Sequence, residues 1–434
     1  METEKAKGGL KADKKNRKEK KQRTPQQEKR SIIIRAVLAG VFFLIAMISF
    51  TKYAKQCTHK EPGWYEIGYN PDETAPGYAV GRELNYYFDG ESSDIIMGLN
   101  EVRNDFSEAM KHVYKLLDPD NMYEGYVNLA YINTHPGEGI ELDPELYAVL
   151  TSAYELTQSG EFNMFAGALY REWQGITVLE ESQDFDPLLN KDEAQRLKTI
   201  AETVADLSNF KFEIIDAERH IIRFDTTDGY RAFAENMECS AAVIDLAYLR
   251  DAYELDYTAQ KLEEKGRTMG YITAKSGITR ALSGVGEGVY LIYTQADGNP
   301  AQACRIRMEA GTSCCALRTF ALEEDIEFYT VESEGRTYYR HPYFDYATAE
   351  LYDELLSSCA VSYEGDSPLA CIRARQLISR PTLEAAGEMV ASSTDASMLL
   401  AYVPRVEPDV VRVDKAHAGK LIFVEGTGYT SAPI

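Results

Sequence analysis

Four short stretches of the chain carry side chains able to do chemistry. The first is Ser159-Gly160-Glu161-Phe162-Asn163-Met164-Phe165-Ala166-Gly167, running on to Trp173. A glycine just past a helix permits a sharp reversal, so a loop would present Glu161, Phe162 and Asn163. The Asn163 amide donates and accepts at once, which suits the polar edge of a heteroaromatic ring. A loop merely packed by Phe and Trp is the plainer reading. The second stretch runs from Val243 to Asp256 and contains Asp245, Tyr248 and Asp251. A carboxylate directly after an apolar strand can hold a ligand hydroxyl or amine, or it can start a helix. The third is Tyr339-Arg340-His341-Pro342-Tyr343-Phe344-Asp345-Tyr346-Ala347-Thr348. A histidine near a carboxylate can act as a general base, while a lone strand histidine can equally be structural. The fourth is Ser392-Ser393-Thr394-Asp395-Ala396-Ser397. Its oxygens can cap a helix or bind Mg²⁺.

The elements that must position these residues are helices mixed with antiparallel strands, an α+β pattern. Ile95, Leu99, Val102, Phe106, Met110, Val113 and Leu117 recur at helical spacing. Asp143-Pro144 opens a second helix that Gly160 ends. A third helix is expected over 192–207. A hairpin follows, with strands 212–215 and 220–224. A short helix is expected near 256–266, then a strand at 271–274, mainly strand over 289–345, and a strand at 420–426.

The chain has 434 residues with 46 Lys and Arg against 69 Asp and Glu, a net charge of −23. The charge is divided unevenly. Residues 1–30 carry about +7 and the rest about −30, which excludes nucleic acid as a partner for the main body. Ser31 to Phe50 contains one charge, Arg35. About twenty apolar residues at about 1.5 Å each match the thickness of a bilayer core. Basic residues stay on the cytoplasmic side. We therefore expect a cytoplasmic basic tail over 1–30, a transmembrane helix over 31–50, a linker over 51–85 and an extracytoplasmic domain over 86–434, in a single-pass plasma-membrane protein. The seven cysteines form no zinc spacing and read as buried small apolar residues.

Taken in order, the four stretches resemble the ApbE family, the FAD:protein FMN transferases, over roughly residues 90–430. The resemblance is carried by Asp120-Asn-Met-Tyr-Glu-Gly-Tyr-Val-Asn-Leu-Ala-Tyr-Ile-Asn133 and Ser159-Gly-Glu-Phe-Asn163 with Gly167 and Trp173. It continues through Asp245-Leu246 with Tyr253 and Asp256, Ser276-Gly277, His341 with Asp345 and Thr348, and Thr394-Asp395-Ala396. It implies an ApbE-like domain with a flavin cleft and FAD and Mg²⁺ as cofactors. The implied reaction moves FMN from FAD to a threonine of an extracytoplasmic flavoprotein acceptor. Glu161, Phe162, Asn163, Asp245 and Asp251 would line the cofactor site. The Tyr248 carbonyl and the Asp395 carboxylate would hold the metal, and His341 would be the base. The chain also departs from the pattern. Asp251 stands at a lysine position and Ala252 at a glycine, Leu399 at a metal-site threonine, Ser276 at a glycine, and Tyr346 and Ala349 at a proline and a glycine. A carboxylate repels phosphate where an ammonium attracts it. The departures at Asp251 and Leu399 point to reduced or absent activity, and so to the alternative of a non-catalytic flavin-binding or protein-interaction module.

Overall fold

The computed structural model describes residues 25–58, 60–178, 182–240, 242–322 and 327–434; side chains are not described for 25–35, 53–58, 182 and 183. The chain forms two units, Met1–Lys60 and Glu61–Ile434. In the first, the described residues form one helix, Pro25–Thr58. Its described apolar side chains, among them Val37, Phe42, Phe43, Ile45 and Phe50, are exposed. No described helix is long and apolar enough to cross a membrane. The greater part of the basic tail lies outside the described residues.

The second unit is built on a nine-stranded sheet. In spatial order its strands are Gly63–Ile67, Arg82–Phe88, Gly270–Ala274, Ile278–Ala281, Ser313–Arg318, Leu355–Ser362, Met398–Pro404, Val410–Val413 and Thr430–Pro433. All neighbours are antiparallel except the last pair. Side chains alternate between two cores, as a pleated strand requires. Met398, Leu400 and Tyr402 enter the larger core, while Leu399, Ala401 and Val403 enter the smaller one. Helices Ser92–Leu116, Arg250–Glu264 and Ser367–Ile378 contribute to the larger core. The hairpin Val289–Ala296 and Asn299–Arg307 covers the smaller one. A three-stranded sheet of Gly139–Glu141, Ile221–Thr226 and Phe210–Asp216 extends the larger core. There Phe165 stacks on Phe210 and Phe224.

Three expectations change. Residues 61–85, expected within a linker, belong to the domain. Gly63–Ile67 and Arg82–Phe88 pair as edge strands, and Ala75, Tyr78 and Ala79 are buried between them. The turn signals of this stretch join strands. The helix expected from about 256 begins at Arg250, because Ala252, Tyr253, Leu255, Ala259 and Leu262 all face the core at helical spacing. The helix expected over 192–207 is Lys191–Ala205, started by the Asn190 side chain, which accepts from the Asp192 and Glu193 amides.

Candidate functional site

The loop at Glu161 forms as the turn residues dictate. Asp143 accepts the Glu145 amide at 3.0 Å and Pro144 occupies the first turn of helix Pro144–Ser159. Gly160 ends the helix with φ 78°, and the Glu161 and Phe162 amides both return to the Leu156 carbonyl. Glu161 then pairs with Arg373 at 2.6 Å and Gln376 at 2.7 Å. The Arg373 hydrogen bond holds its carboxyl below the usual range. Asn163 uses its amide internally. Its oxygen accepts from the Phe165 amide at 2.9 Å and its nitrogen donates to the Val204 carbonyl at 2.8 Å.

Residues 242–251 pack against this loop because Gly167 has no side chain. A Cβ there would lie 2.0 Å from the Ala242 carbonyl oxygen. Asp245 accepts the Ala247 amide at 2.7 Å and Arg171 through Nε at 3.0 Å and Nη2 at 2.9 Å. Ala247 is thereby held at φ 50°, a conformation that costs an L-residue about 1–2 kcal/mol. Asp251, in the first turn of helix Arg250–Glu264, binds Arg82 at 2.6 Å and the Ser276 hydroxyl at 2.5 Å. Arg82 also reaches Glu254 at 2.5 Å. The carboxylate at the lysine position thus faces an arginine from strand Arg82–Phe88, so the repulsion expected at Asp251 is offset locally.

Three cavities adjoin along this surface, sharing walls. One of about 350 Å³ is lined by Arg82, Asp245, Tyr248, Asp251 and Arg375 among others. One of about 310 Å³ is lined by Glu161, Phe162, Asn163, Tyr248, Phe344 and Arg375 among others. One of about 670 Å³ is lined by Glu161, Asp345, Arg373 and Asp395 among others. The walls of the second are aromatic. Phe162 meets Tyr248 edge-on at 5.6 Å, and Tyr346 lies 5.4 Å from Tyr248 and 4.6 Å from Phe344. Burial raises the Tyr248 and Tyr346 hydroxyls well above the usual phenol range, so both stay neutral.

His341 lines none of these cavities. It is fully buried, its Nε2 donates to the Tyr352 carbonyl at 2.8 Å, and its Nδ1 accepts the Tyr343 amide at 3.2 Å. Burial lowers its pKa to about 3. No ring nitrogen remains to take a proton from a substrate hydroxyl, so the general-base role does not fit this arrangement.

The implied metal ligands are both already engaged within the chain. Asp395 lines the third cavity, where its carboxylate accepts the Ser397 amide and hydroxyl, both at 2.8 Å. The Ser397 hydroxyl lowers its pKa. Tyr248 lines the other two. Its carbonyl accepts the Cys371 thiol at 3.5 Å, and the Arg375 guanidinium lies 4.6 Å from its ring. A thiol donor on the carbonyl does not fit a divalent ion, which takes oxygen ligands. Leu399 bears on no such site, because it points into the smaller core on the far face of its strand. Among the described residues, the one cluster of metal-type side chains is His112, Asp143 and Glu145. It lines none of the three cavities, and Lys261 already lies 3.6 Å from Glu145.

Cys371, Arg373 and Arg375 were not anticipated from sequence. They sit on helix Ser367–Ile378, whose opening is written in Asp366-Ser-Pro368. The Asp366 side chain accepts the Leu369 amide at 2.8 Å. Cys371 and Arg375 are four residues apart and so share one helical face.

No protein-family model and no curated protein sequence matches the chain. Solved structures do. The ApbE protein of Thermotoga maritima superposes with a TM-score of 0.54 at 17% identity, over 79% of this chain and 95% of that one. The flavin transferase ApbE of Vibrio cholerae superposes with a TM-score of 0.50 at 11% identity, over 80% and 95%. A point mutant of that Vibrio cholerae protein gives 0.51 at 12% identity, over 82% and 99%. The chain has an ApbE-like fold.

Proposed function

We propose that this protein is a membrane-tethered flavin-nucleotide-binding module on an ApbE-like fold, and that it does not carry out metal-dependent flavin transfer. The observation that carries the binding reading is the junction of the two smaller cavities. Aromatic walls of Phe162, Tyr248, Phe344 and Tyr346 meet a buried arginine there, a combination suited to an aromatic ring system joined to phosphate. FAD would be held by these residues, with Asp245 and Asp251 lining the adjoining cavity. When bound, the flavin would supply its own redox chemistry. Against transfer stand the engaged nitrogens of His341 and the Cys371 thiol on the Tyr248 carbonyl.

The tether rests on the apolar run Ser31 to Phe50 behind a basic tail. It is supported by exposed apolar side chains on the described part of that helix, including Val37, Leu38, Phe42, Phe43, Leu44 and Ile45. A polypeptide with such a surface belongs in a lipid phase. The main domain then lies outside the cytoplasm. Recovery of the chain in the soluble fraction after alkaline extraction of membranes would contradict the tether.

The function is tested with the full chain in detergent. It is mixed with FAD, Mg²⁺ and a threonine-bearing flavoprotein domain. Flavin fluorescence should change on binding, with no AMP released. Stoichiometric AMP together with a fluorescent acceptor would replace this reading by the active-transferase one. Unchanged flavin fluorescence at high protein concentration would remove flavin binding altogether.

A further inference from the structure

Arg375 is 6% exposed. Its charge lies among four rings, with its central carbon 4.6 Å from Tyr248, 5.2 Å from Tyr343, 5.7 Å from Phe344 and 5.5 Å from Tyr346. Nη2 donates to the Pro342 carbonyl at 2.8 Å, while Nε is buried with no partner among the described residues. No carboxylate pairs with it among the described residues. The nearby acids are committed elsewhere, Glu161 to Arg373 and Asp245 to Arg171. Ring faces attract a cation, but they do not satisfy N–H groups. A guanidinium keeps its proton in proteins, so burial cannot neutralise it as it neutralises a lysine. A buried cation without a counter-ion is costly. This one lines both smaller cavities at their shared wall.

We propose that Arg375 is the phosphate anchor of this cleft, so that phosphate-bearing ligands bind there without a divalent cation. The proposal deepens the flavin-nucleotide reading and rests on it for the identity of the ligand, though not for the presence of an anion. The placement of Arg375 agrees with the misfit of the metal. It stands four residues after Cys371, whose thiol donates to the Tyr248 carbonyl, and its charge lies against the ring of the same tyrosine. A planar guanidinium also suits phosphate oxygens through paired N–H donors.

The test uses the full chain in detergent, titrated with FMN and with riboflavin, each in excess EDTA and in Mg²⁺. FMN should bind equally in both. Arg375→Gln should weaken FMN about 10- to 100-fold and leave riboflavin unchanged, while Arg375→Lys should restore most of the loss. A requirement of FMN for Mg²⁺, or equal losses for FMN and riboflavin in Arg375→Gln, would overturn the anchor. If neither flavin binds, the flavin reading fails by itself. Calorimetry with inorganic pyrophosphate in EDTA then decides the anchor. Binding that disappears in Arg375→Gln supports it, and no binding to the parent chain rejects it. Circular dichroism of each variant separates loss of the site from loss of the fold.

Discussion

Two arginines in this domain are almost equally buried and very differently served. Arg340 is 5% exposed and its Nε lies 2.7 Å from Asp186, which is fully buried. Tyr329 donates to the same carboxylate at 2.7 Å, and the Leu188 amide to its other oxygen at 2.8 Å. Arg375 is 6% exposed and has one backbone carbonyl and four ring faces. The first arrangement closes on itself and links strand Arg336–Arg340 to the segment at Asp186. The second is open on the side of the cavities. A polar group satisfied within the chain serves the fold, whereas one left unsatisfied beside a cavity implies a ligand.

The largest effect should come from breaking the closed arrangement. Asp186→Asn removes the counter-charge of Arg340 and should cost about 3–5 kcal/mol, read as a lower denaturation midpoint of the chain in detergent. A change under about 1 kcal/mol would mean that Arg340 does not depend on its partner, and the contrast with Arg375 would collapse. His341 belongs to the same closed class and should show it through pH. Burial lowers its pKa from 6.5 to about 3, so between those values the unfolded chain takes up a proton that the folded chain refuses. The stability from the neutral ring is therefore present above about pH 6.5 and is lost as pH falls towards about 3. From pH 6.5 to pH 5 the loss should reach about 2 kcal/mol. His341→Gln should flatten that slope. A slope unchanged by the substitution would show that other groups set the acid limit.

The closed parts of the molecule were the more legible in sequence. The helix at Ser92–Leu116 could be read because its apolar residues repeat at one spacing, and helix Pro144–Ser159 because Asp143, Pro144 and Gly160 mark both ends. The ordered motifs were enough to suggest the ApbE-like fold that the solved structures share. Individual roles were harder to read, since a residue type does not reveal its partners. Asn163 carries the expected amide, but two backbone groups consume it. His341 lies near Asp345 in sequence, yet its ring faces Tyr352 and Tyr343. Asp251 reads as a reversed charge until Arg82, far away in sequence, is found against it. Arg375 was invisible for the same reason. Its significance lies in the carboxylate it lacks, and a lack of contacts has no signature in a sequence.

Backbone strain sharpens the contrast from the open side. Ala247 lines the same cavity as Arg375 and sits at φ 50°. Strain of this kind persists where the surroundings over-determine it, and it concentrates at ligand sites. Ala247→Gly should raise stability by up to about 1 kcal/mol, as a left-handed position relieved of its Cβ. A loss of stability would show that the Ala247 methyl group packs better than its backbone is strained, and would remove this sign of function.

The smallest expected change is the most discriminating. Arg375→Met, measured without ligand, should leave stability within about 1 kcal/mol of the parent or raise it. Methionine is a flexible apolar side chain that packs well against rings, and it removes a charge whose burial no carboxylate offsets. Among the described residues its one hydrogen-bond loss is that to the Pro342 carbonyl, and the cation–π attraction to Tyr248, Tyr343, Phe344 and Tyr346 opposes the gain. If those rings were the true partners of Arg375, the substitution would cost as much as Asp186→Asn, and the open arrangement would be a second closed one. A tolerated Arg375→Met beside a damaging Asp186→Asn would separate two equally buried cations by purpose, one held for the fold and one held for an anion.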